Sequence, residues 1–267
     1  MENEKQRIII RIGRNTLAFA MSDQMVYEPY VVNNSMSMAA NLREAFRKSS
    51  LLNKGCQRAL VVVESQALLV PVREFNEEQA GMLYRYTCDG NADNGQAEQD
   101  TIVHNMLPNL NAVAVYKLNR DLQLVIGDHF TDVRYNHLMQ AVWSYFHARN
   151  FATPHNKLFA YLHEKQLEVF SFDKNRFRFS SSFKVENSSN AVYFLLSVWK
   201  QIGFDAQNDE IHLVFDTAQT MTAEDQQERQ QLIDTLREYV QKVNISLTVT
   251  DENIGDMPFD MKILLKE

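Results

Sequence analysis

The residues with the clearest potential for chemistry lie in a short turn near the amino terminus. Gly13, Arg14, Asn15 and Thr16 separate two apolar runs, IIIRI and LAFAM. A glycine lets the backbone approach a ligand closely, and the polar groups that follow can hydrogen-bond to phosphate oxygens. Arg11, just before the turn, adds a second cation. The pattern predicts either a phosphate-binding turn or a plain hairpin, and both readings stay open at this point.

A second candidate is the acidic segment DGNADNGQAEQD, which begins at Asp89. Asp89, Asn91, Asp93 and Asp100 occupy the first, third, fifth and twelfth positions of an EF-hand calcium loop. The glycine required at the sixth position is missing, because Asn94 stands there. We therefore expect a flexible polar loop and no calcium site.

Other common catalytic signatures are missing from the sequence. Seven histidines are scattered without an HExxH pattern, and no P-loop, GxSxG or GxGxxG motif occurs. Cys56 and Cys88 stand alone, without a CxxC pair or a disulfide framework. Cys56 is expected to be an inert thiol, and the absence of a disulfide framework indicates a reducing compartment, which makes the cytoplasm the predicted location. No metal site is predicted.

Composition excludes several classes of function. The chain has 267 residues, of which 45% are hydrophobic and 23% charged, so it can form one large domain or two ordinary ones. Its net charge of −7 provides no general attraction for nucleic acid. The apolar runs are far shorter than the roughly 20 residues that span a bilayer. Neither nucleic-acid binding nor membrane insertion is expected.

The carboxyl-terminal half has the clearer pattern of elements, since apolar residues alternate in its strands and recur at helical spacing in its helices. The predicted elements are strands 158–164, 167–173 and 176–185, a helix from Ser188 or Ser189 to Gly203, strand 211–217, a helix from Thr222 to about Val243, and strand 245–251. In the third strand, period two places Phe177, Phe179 and Phe183 on one face.

The amino-terminal half has a similar order of elements. They are strands 8–13, 16–22 and 26–33, a helix from Ser35 or Ser37 to Phe46, strand 58–64, a segment capped by Asn76, strands 112–118 and 122–128, and a helix through Val133 and Phe146. Each half thus begins with three strands, a helix and a buried strand, which suggests an internal duplication. The proline-containing stretch ATPHN predicts a boundary between domains 1–152 and 153–267.

Two tandem units of the order β-β-β-α-β-α-β resemble the actin-like ATPase fold of actin, sugar kinases and Hsp70 chaperones. The resemblance implies an α/β fold of two ribonuclease H-like domains, each a mixed five-stranded sheet with helices on both faces. The family's first hairpin carries an Asp-x-Gly turn, whose aspartate helps to position a metal ion. Gly13, Asn15 and Thr16 fit this turn, but Arg11 replaces the aspartate by a fixed cation.

The family's two other nucleotide motifs are also altered. The second hairpin should carry an Asp-x-Gly-x-Gly-Thr turn, and the chain has YLHEKQ at 161–166 instead. The adenosine motif, a glycine pair after a late buried strand, is replaced by Asp216 and Thr217. These departures imply that the protein has no cofactor, with ATP and Mg²⁺ as the alternative.

The whole chain also resembles an uncharacterised bacterial family, domain of unknown function 3822, through its hairpin start, the stretch RFRFSSSF and its length. We expect a non-catalytic pseudo-ATPase that acts through contacts with an unidentified protein partner, in a scaffold or assembly role. The alternative is a divergent nucleotide-binding protein, ATPase or kinase. In that case Arg11 and Arg14 contact phosphate, and Asp128, Asp173 or Asp216 holds a metal ion. Its oligomeric state stays open.

Overall fold

The structure is a computed structural model, which describes residues 7–21, 26–88, 100–151, 154–216, 222–245 and 257–266. The strands in these residues are β1 (Ile8–Ile12), β2 (Leu17–Met21), β3 (Val26–Tyr30), β4 (Arg58–Val63), β5 (Ala67–Pro71), β6 (Asp100–Leu107), β7 (Ala112–Asn119), β8 (Asp132–His137), β9 (Lys157–His163), β10 (Gln166–Asp173), β11 (Arg176–Lys184), β12 (Glu210–Phe215) and β13 (Lys242–Ile245). The α-helices are α1 (Met38–Lys48), α2 (Glu77–Cys88), α3 (Arg120–Gly127), α4 (Met139–Asn150), α5 (Ser188–Gln201), α6 (Ala223–Tyr239) and α7 (Phe259–Leu264).

The chain divides into two compact units. The amino-terminal unit comprises Met1–Val142 with Ile263–Glu267, and the carboxyl-terminal unit comprises Trp143–Lys262. The junction at 142/143 lies inside α4, ten residues before the domain boundary expected from the sequence.

The amino-terminal unit is built on a mixed five-stranded sheet with the order β3-β2-β1-β4-β8. The first three strands in the chain pair antiparallel, and β4 joins β1 and β8 in parallel. Helices α1 and α3 cover one face, where Leu42 and Phe46 of α1 and Val125 of α3 pack against Ile8 and Ile10 of β1. Of the two predicted starts of α1, Ser35 and Ser37, the structure has Ser37, whose side chain accepts a hydrogen bond from the Ala40 amide.

Two predictions for this unit are wrong. Residues 122–127 of the predicted strand 122–128 belong to helix α3, whose buried residues Leu122, Val125 and Ile126 follow helical spacing. The helix predicted from Val133 is instead strand β8 followed by α4. Short apolar runs fit both the helical period of 3.6 residues and the strand period of two. Tertiary contacts decide between them: α3 packs on the sheet, and β8 pairs in parallel with β4.

A second sheet of the same unit is inserted between β4 and α3. It has three antiparallel strands in the order β5-β7-β6, and α2 packs on it. The small core between them contains Ala80 and Tyr84 of α2 with Val70, Val113 and Val115 of the strands.

The carboxyl-terminal unit contains a mixed sheet with the order β11-β10-β9-β12-β13. Helices α5 and α6 cover one face, through residues such as Leu195 and Leu236. On the other face an aromatic cluster joins Phe159 and Phe170 of the sheet to Phe146 of α4, which in turn contacts Phe259 of α7. The predicted mixed five-stranded sheets are confirmed in both units.

Helix ends in this unit largely follow the sequence signals. The predicted start of α6 is confirmed, since Thr222 and Asp225 form a capping box there. Its predicted end at about Val243 is wrong, because α6 ends at Tyr239 and Val243 lies in β13. Gly203, with a φ of 71°, follows the end of α5. The predicted cap of α5 is wrong, because the side chain of Asn187, and not a serine, accepts the Asn190 amide.

Strand β11 departs from the simple alternation predicted for its phenylalanines. Its register with β10 shifts beside Ser171 and Phe172, which is a β-bulge. Phe179 packs in the core under α5 and α6, whereas Phe177 contacts Trp143 of α4 and Phe172 instead. The bulge adds one residue between the two side chains, so they lie on opposite faces.

The acidic segment at 89–99 lies outside the described residues, and Asp100 begins β6. No helix in the described part of the chain combines the length and the apolar character needed to cross a bilayer.

Candidate functional site at the amino-terminal hairpin

The carboxyl ends of three parallel strands meet at one edge of the amino-terminal sheet. Ile12 is paired with Val63, and Val63 with His137, so β1, β4 and β8 end side by side. The Glu64 amide donates to the Ile12 carbonyl oxygen at 2.9 Å, which places Glu64 directly beside the hairpin turn. In open α/β sheets this edge is the usual location of ligand sites.

The turn between β1 and β2 is held closed by its own groups. The Gly13 amide donates to the Thr16 carbonyl oxygen at 2.9 Å. Nη1 of Arg11 donates to Oγ1 of Thr16 at 2.6 Å, and Arg11 is only 1% exposed. The Thr16 hydroxyl is therefore engaged with the guanidinium that replaces the family's aspartate.

Arg14 is bound to a carboxylate of the same unit. Its Nε donates to Oε1 of Glu64 at 2.8 Å, and its backbone amide donates to Oε2 at 3.3 Å. The Glu64 side chain is 6% exposed and that of Arg14 is 49% exposed. The turn thus already holds an anion, which is supplied by the residue that follows β4. Asn15 is part of the same turn.

His137, at the end of β8, is a neutral member of this edge. Its Nδ1 accepts a hydrogen bond from the Met139 amide at 3.1 Å, so its Nε2 carries the proton and donates to the Ser65 carbonyl oxygen at 2.7 Å. Burial lowers the pKa of His137 to about 4, against the opposing effect of the Ser65 carbonyl. Both ring nitrogens are committed to the backbone, so this histidine acts as a structural linker between strand ends.

The charges at the turn disfavour a cation there. Arg11 and Arg14 place two permanent positive charges at the turn, where Arg14 pairs with the carboxylate of Glu64. A Mg²⁺ ion prefers several oxygen ligands and is repelled by guanidinium groups. The chemistry of these residues fits an anion far better than a metal ion, and Glu64 competes with any external anion.

The hairpin of the carboxyl-terminal unit, β9 to β10, is built differently. Glu164 and Lys165 form its two-residue turn with φ values of 43° and 61°, in the left-handed region that glycine usually occupies. Neither position is a glycine, which would let the backbone approach a ligand closely. His163, next to the turn, is 3% exposed, and its ring stacks on that of Tyr161 at 4.6 Å.

The three aspartates considered as metal ligands are dispersed. Asp128 follows α3 in the amino-terminal unit. In the carboxyl-terminal unit, Asp173 ends β10 and pairs with Arg176 at 3.2 Å. Asp216 follows β12, where its amide donates to the Leu162 carbonyl oxygen at 2.8 Å. Thr217 lies outside the described residues.

Glu64 and His137 were not singled out from the sequence. A signal for both exists, because each stands at the end of a strand that is parallel to β1. For Glu64 the strand RALVVV was predicted, so its position at the carboxyl end could have been used. For His137 the strand itself was missed.

Comparisons with known proteins identify a family and a fold for this chain. The family model "Protein of unknown function (DUF3822)" matches residues 1–243. A search of curated proteins gave no match.

Two solved structures are similar over nearly their whole length. One is a Bacteroides thetaiotaomicron protein with an actin-like ATPase fold and unknown function, with a TM-score of 0.82, 20% identity, and coverage of 99% of this chain and 97% of that one. The other is the PilM–PilN type IV pilus biogenesis complex, with a TM-score of 0.58, 10% identity, and coverage of 97% and 96%. At these identities the likeness establishes the fold alone. The predicted actin-like ATPase fold, with two ribonuclease H-like domains, is confirmed.

Proposed function

Since this chain belongs to the DUF3822 family of proteins of unknown function and has the actin-like ATPase fold, we propose that it is a non-catalytic member of that fold. It works through protein–protein contacts in a scaffold or assembly role. Its proposed location is the cytoplasm, for which the isolated cysteines are the supporting feature.

The observation that carries this proposal is the occupied turn. Glu64 binds both the backbone amide and the side chain of Arg14, at the place where the fold's ATPases grip phosphate. A phosphate that enters the turn must displace the Glu64 carboxylate, which is only 6% exposed. If Glu64 stays in place, its negative charge repels the phosphate. Either route weakens nucleotide binding.

The position of Arg11 supports the same conclusion for the metal ion. Phosphoryl transfer in nucleotide-dependent enzymes needs Mg²⁺ to bridge phosphate oxygens and neutralise developing charge. Arg11 cannot supply a ligand oxygen, and its Nη1 is committed to Thr16. The proposed function therefore has no nucleotide cofactor and no catalytic residue.

A precedent for protein contacts on this fold comes from the similar structure of the PilM–PilN type IV pilus biogenesis complex. The analogy supports a role in assembly and does not extend to the identity of the partner. The net charge of −7 argues against a nucleic-acid partner.

Nucleotide binding remains the second candidate because Arg11, Arg14 and Thr16 lie together at a carboxyl sheet edge. Guanidinium groups form strong charge-assisted hydrogen bonds with phosphate. In this candidate Arg14 exchanges Glu64 for phosphate.

Calorimetric titration and thermal shift with ATP and ADP, with and without Mg²⁺, separate the two candidates. We expect no binding heat and no stabilisation of the wild-type protein at millimolar nucleotide. The matched variant Glu64→Gln keeps the side-chain size but removes the charge that opposes phosphate. Micromolar, Mg²⁺-dependent binding to the wild-type protein would refute the non-catalytic proposal, whereas a partner recovered in constant stoichiometry from the native host would support it.

A further inference from the structure

A groove of about 350 Å³ lies in the inserted part of the amino-terminal unit, between α2 and β6. Its apolar lining includes Ile102 and Val115, and Gly81 and His104 complete the walls. The carboxylates of Glu77 and Glu78 line it, and no lysine or arginine does. The groove therefore has a mixed lining, in which apolar side chains lie together with two carboxylates.

Strand β6 forms an edge beside this groove. It is paired with β7 along all eight residues, and no other strand in the described residues pairs with β6. An edge strand presents backbone donors and acceptors that can pair with a further strand. Natural edges are commonly protected by lysine or proline, and β6, with the sequence DTIVHNML, contains neither.

Gly81 is a second, independent feature of the groove. It lies inside helix α2, and a glycine in the middle of a helix lowers the helix stability by roughly 0.5–1 kcal/mol relative to alanine. A Cβ atom at this position would meet nothing within 4 Å, and the backbone has no positive φ that requires glycine. The unit itself therefore has no packing or conformational need for glycine here, and its absent side chain leaves the groove wall open.

We infer that this groove docks an extended segment of a partner protein, which pairs with β6 as an additional strand and carries a lysine or arginine opposite Glu77 and Glu78. Backbone hydrogen bonds along an edge strand supply affinity, and pockets for alternate side chains supply specificity. The two carboxylates favour a basic segment and repel an acidic one. This inference rests on the proposed function, because it names the surface and the kind of partner segment.

Helix α2 also exposes apolar side chains outside the groove. Met82 and Tyr86 are 69% and 71% exposed, and they are four residues apart, so they lie on the same side of the helix. Exposed aromatic and methionine side chains are enriched at protein interfaces. A docked segment therefore has further apolar surface available on the same helix.

The test uses a phage library of random twelve-residue peptides selected against the full-length protein. We expect enriched peptides with alternating apolar residues and at least one lysine or arginine. Chosen peptides are then synthesised, and their affinities are measured by calorimetry.

Gly81→Phe is the blocking variant, since a phenyl ring at this position projects from the open wall of the groove. Gln79→Phe is the matched control, because it adds the same ring to an exposed position of α2 that does not line the groove. Thermal unfolding verifies that both variants are folded. We expect Gly81→Phe to weaken peptide binding at least about tenfold and Gln79→Phe to leave it unchanged.

The double variant Glu77→Gln with Glu78→Gln tests the charge argument. We expect about three- to tenfold weaker binding of basic peptides and a smaller dependence of the affinity on salt. Failure to enrich any peptide, or enriched peptides that bind Gly81→Phe as well as wild type, would overturn the groove proposal. Neither result bears on the proposed absence of catalysis, which the nucleotide titrations test separately.

Discussion

Acidification is expected to destabilise the amino-terminal unit through His137. This histidine is neutral in the folded protein because its Nδ1 accepts the Met139 amide and burial holds its pKa at about 4. In the unfolded chain its pKa returns to the ordinary value of 6.5. Between these two values the unfolded chain binds a proton that the folded chain does not.

The sign and the size of the effect follow from this difference. The stabilisation is complete above pH 6.5, and it is lost as the pH falls from 6.5 towards 4. A difference of this size corresponds to about 3 kcal/mol of unfolding free energy, most of which is lost by about pH 4.5. That amount is a large fraction of the stability of an ordinary domain.

Urea denaturation at about pH 7.5 and about pH 4.5 measures this loss, and a variant isolates the contribution of His137. His137→Gln cannot take up the proton, so its loss of unfolding free energy on acidification should be smaller than that of the wild-type protein by roughly 2 to 3 kcal/mol. His129→Gln replaces an exposed histidine and should behave as wild type. The variants are needed because burial also lowers the pKa of His212 in the other unit.

An NMR titration of the wild-type imidazole provides a measurement that does not depend on the variant. The His137 resonance should show no titration between about pH 8 and pH 5.5. Titration near the ordinary pKa, or equal acid sensitivity of His137→Gln and wild type, would refute the proposed hydrogen-bond arrangement. Hydrogen exchange of amides in β4 and β8 locates the effect within the correct unit.

Three further variants test other contacts. Asn105→Ala removes a side-chain amide that donates to the Tyr135 carbonyl oxygen at 2.9 Å and accepts from the His137 amide at 2.8 Å. We expect urea denaturation to show a loss of about 2 kcal/mol in unfolding free energy. An unchanged unfolding free energy would show that water replaces both bonds. Gly203→Ala should lower the free energy of unfolding by about 1 kcal/mol, because the φ of Gly203 is 71°. Gly127→Ala is the control and should not lower it, since a Cβ atom there is equally unobstructed and φ is not positive. Equal thermal unfolding temperatures of the two variants would contradict the backbone argument. Thr222→Ala removes the cap of α6 and should cost about 1 kcal/mol, measured by thermal unfolding, with unchanged stability as the contrary result.

Much of the fold was predictable from local patterns in the sequence. The hairpin of β1 and β2, the helix begun by Ser37 and the capping box at Thr222 depend on residues within a few positions of one another. Hydrophobic periodicity and helix capping both depend on residues that are close in the sequence, so these elements can be predicted from the sequence directly. The repeated order of elements then led to the α/β fold.

Other elements could not be predicted because their periods are ambiguous. The run LQLVIGD fits a strand by composition and a helix by the spacing of Leu122, Val125 and Ile126. The bulge that separates Phe177 from Phe179 arises from the pairing of β11 with β10, which no single strand encodes. In each case the partner element decides, through burial and hydrogen bonding.

The sequence by itself determined which residues replace the motifs of a nucleotide site, namely Arg11 in the first turn and YLHEKQ in the second. Only the tertiary structure decided what those replacements contact. Glu64 is fifty residues from Arg14 along the chain, and parallel pairing of β1 with β4 brings the carboxylate to the turn. The physical reason is that strand pairing between distant segments, and not local spacing, places charges at the carboxyl edge of a sheet.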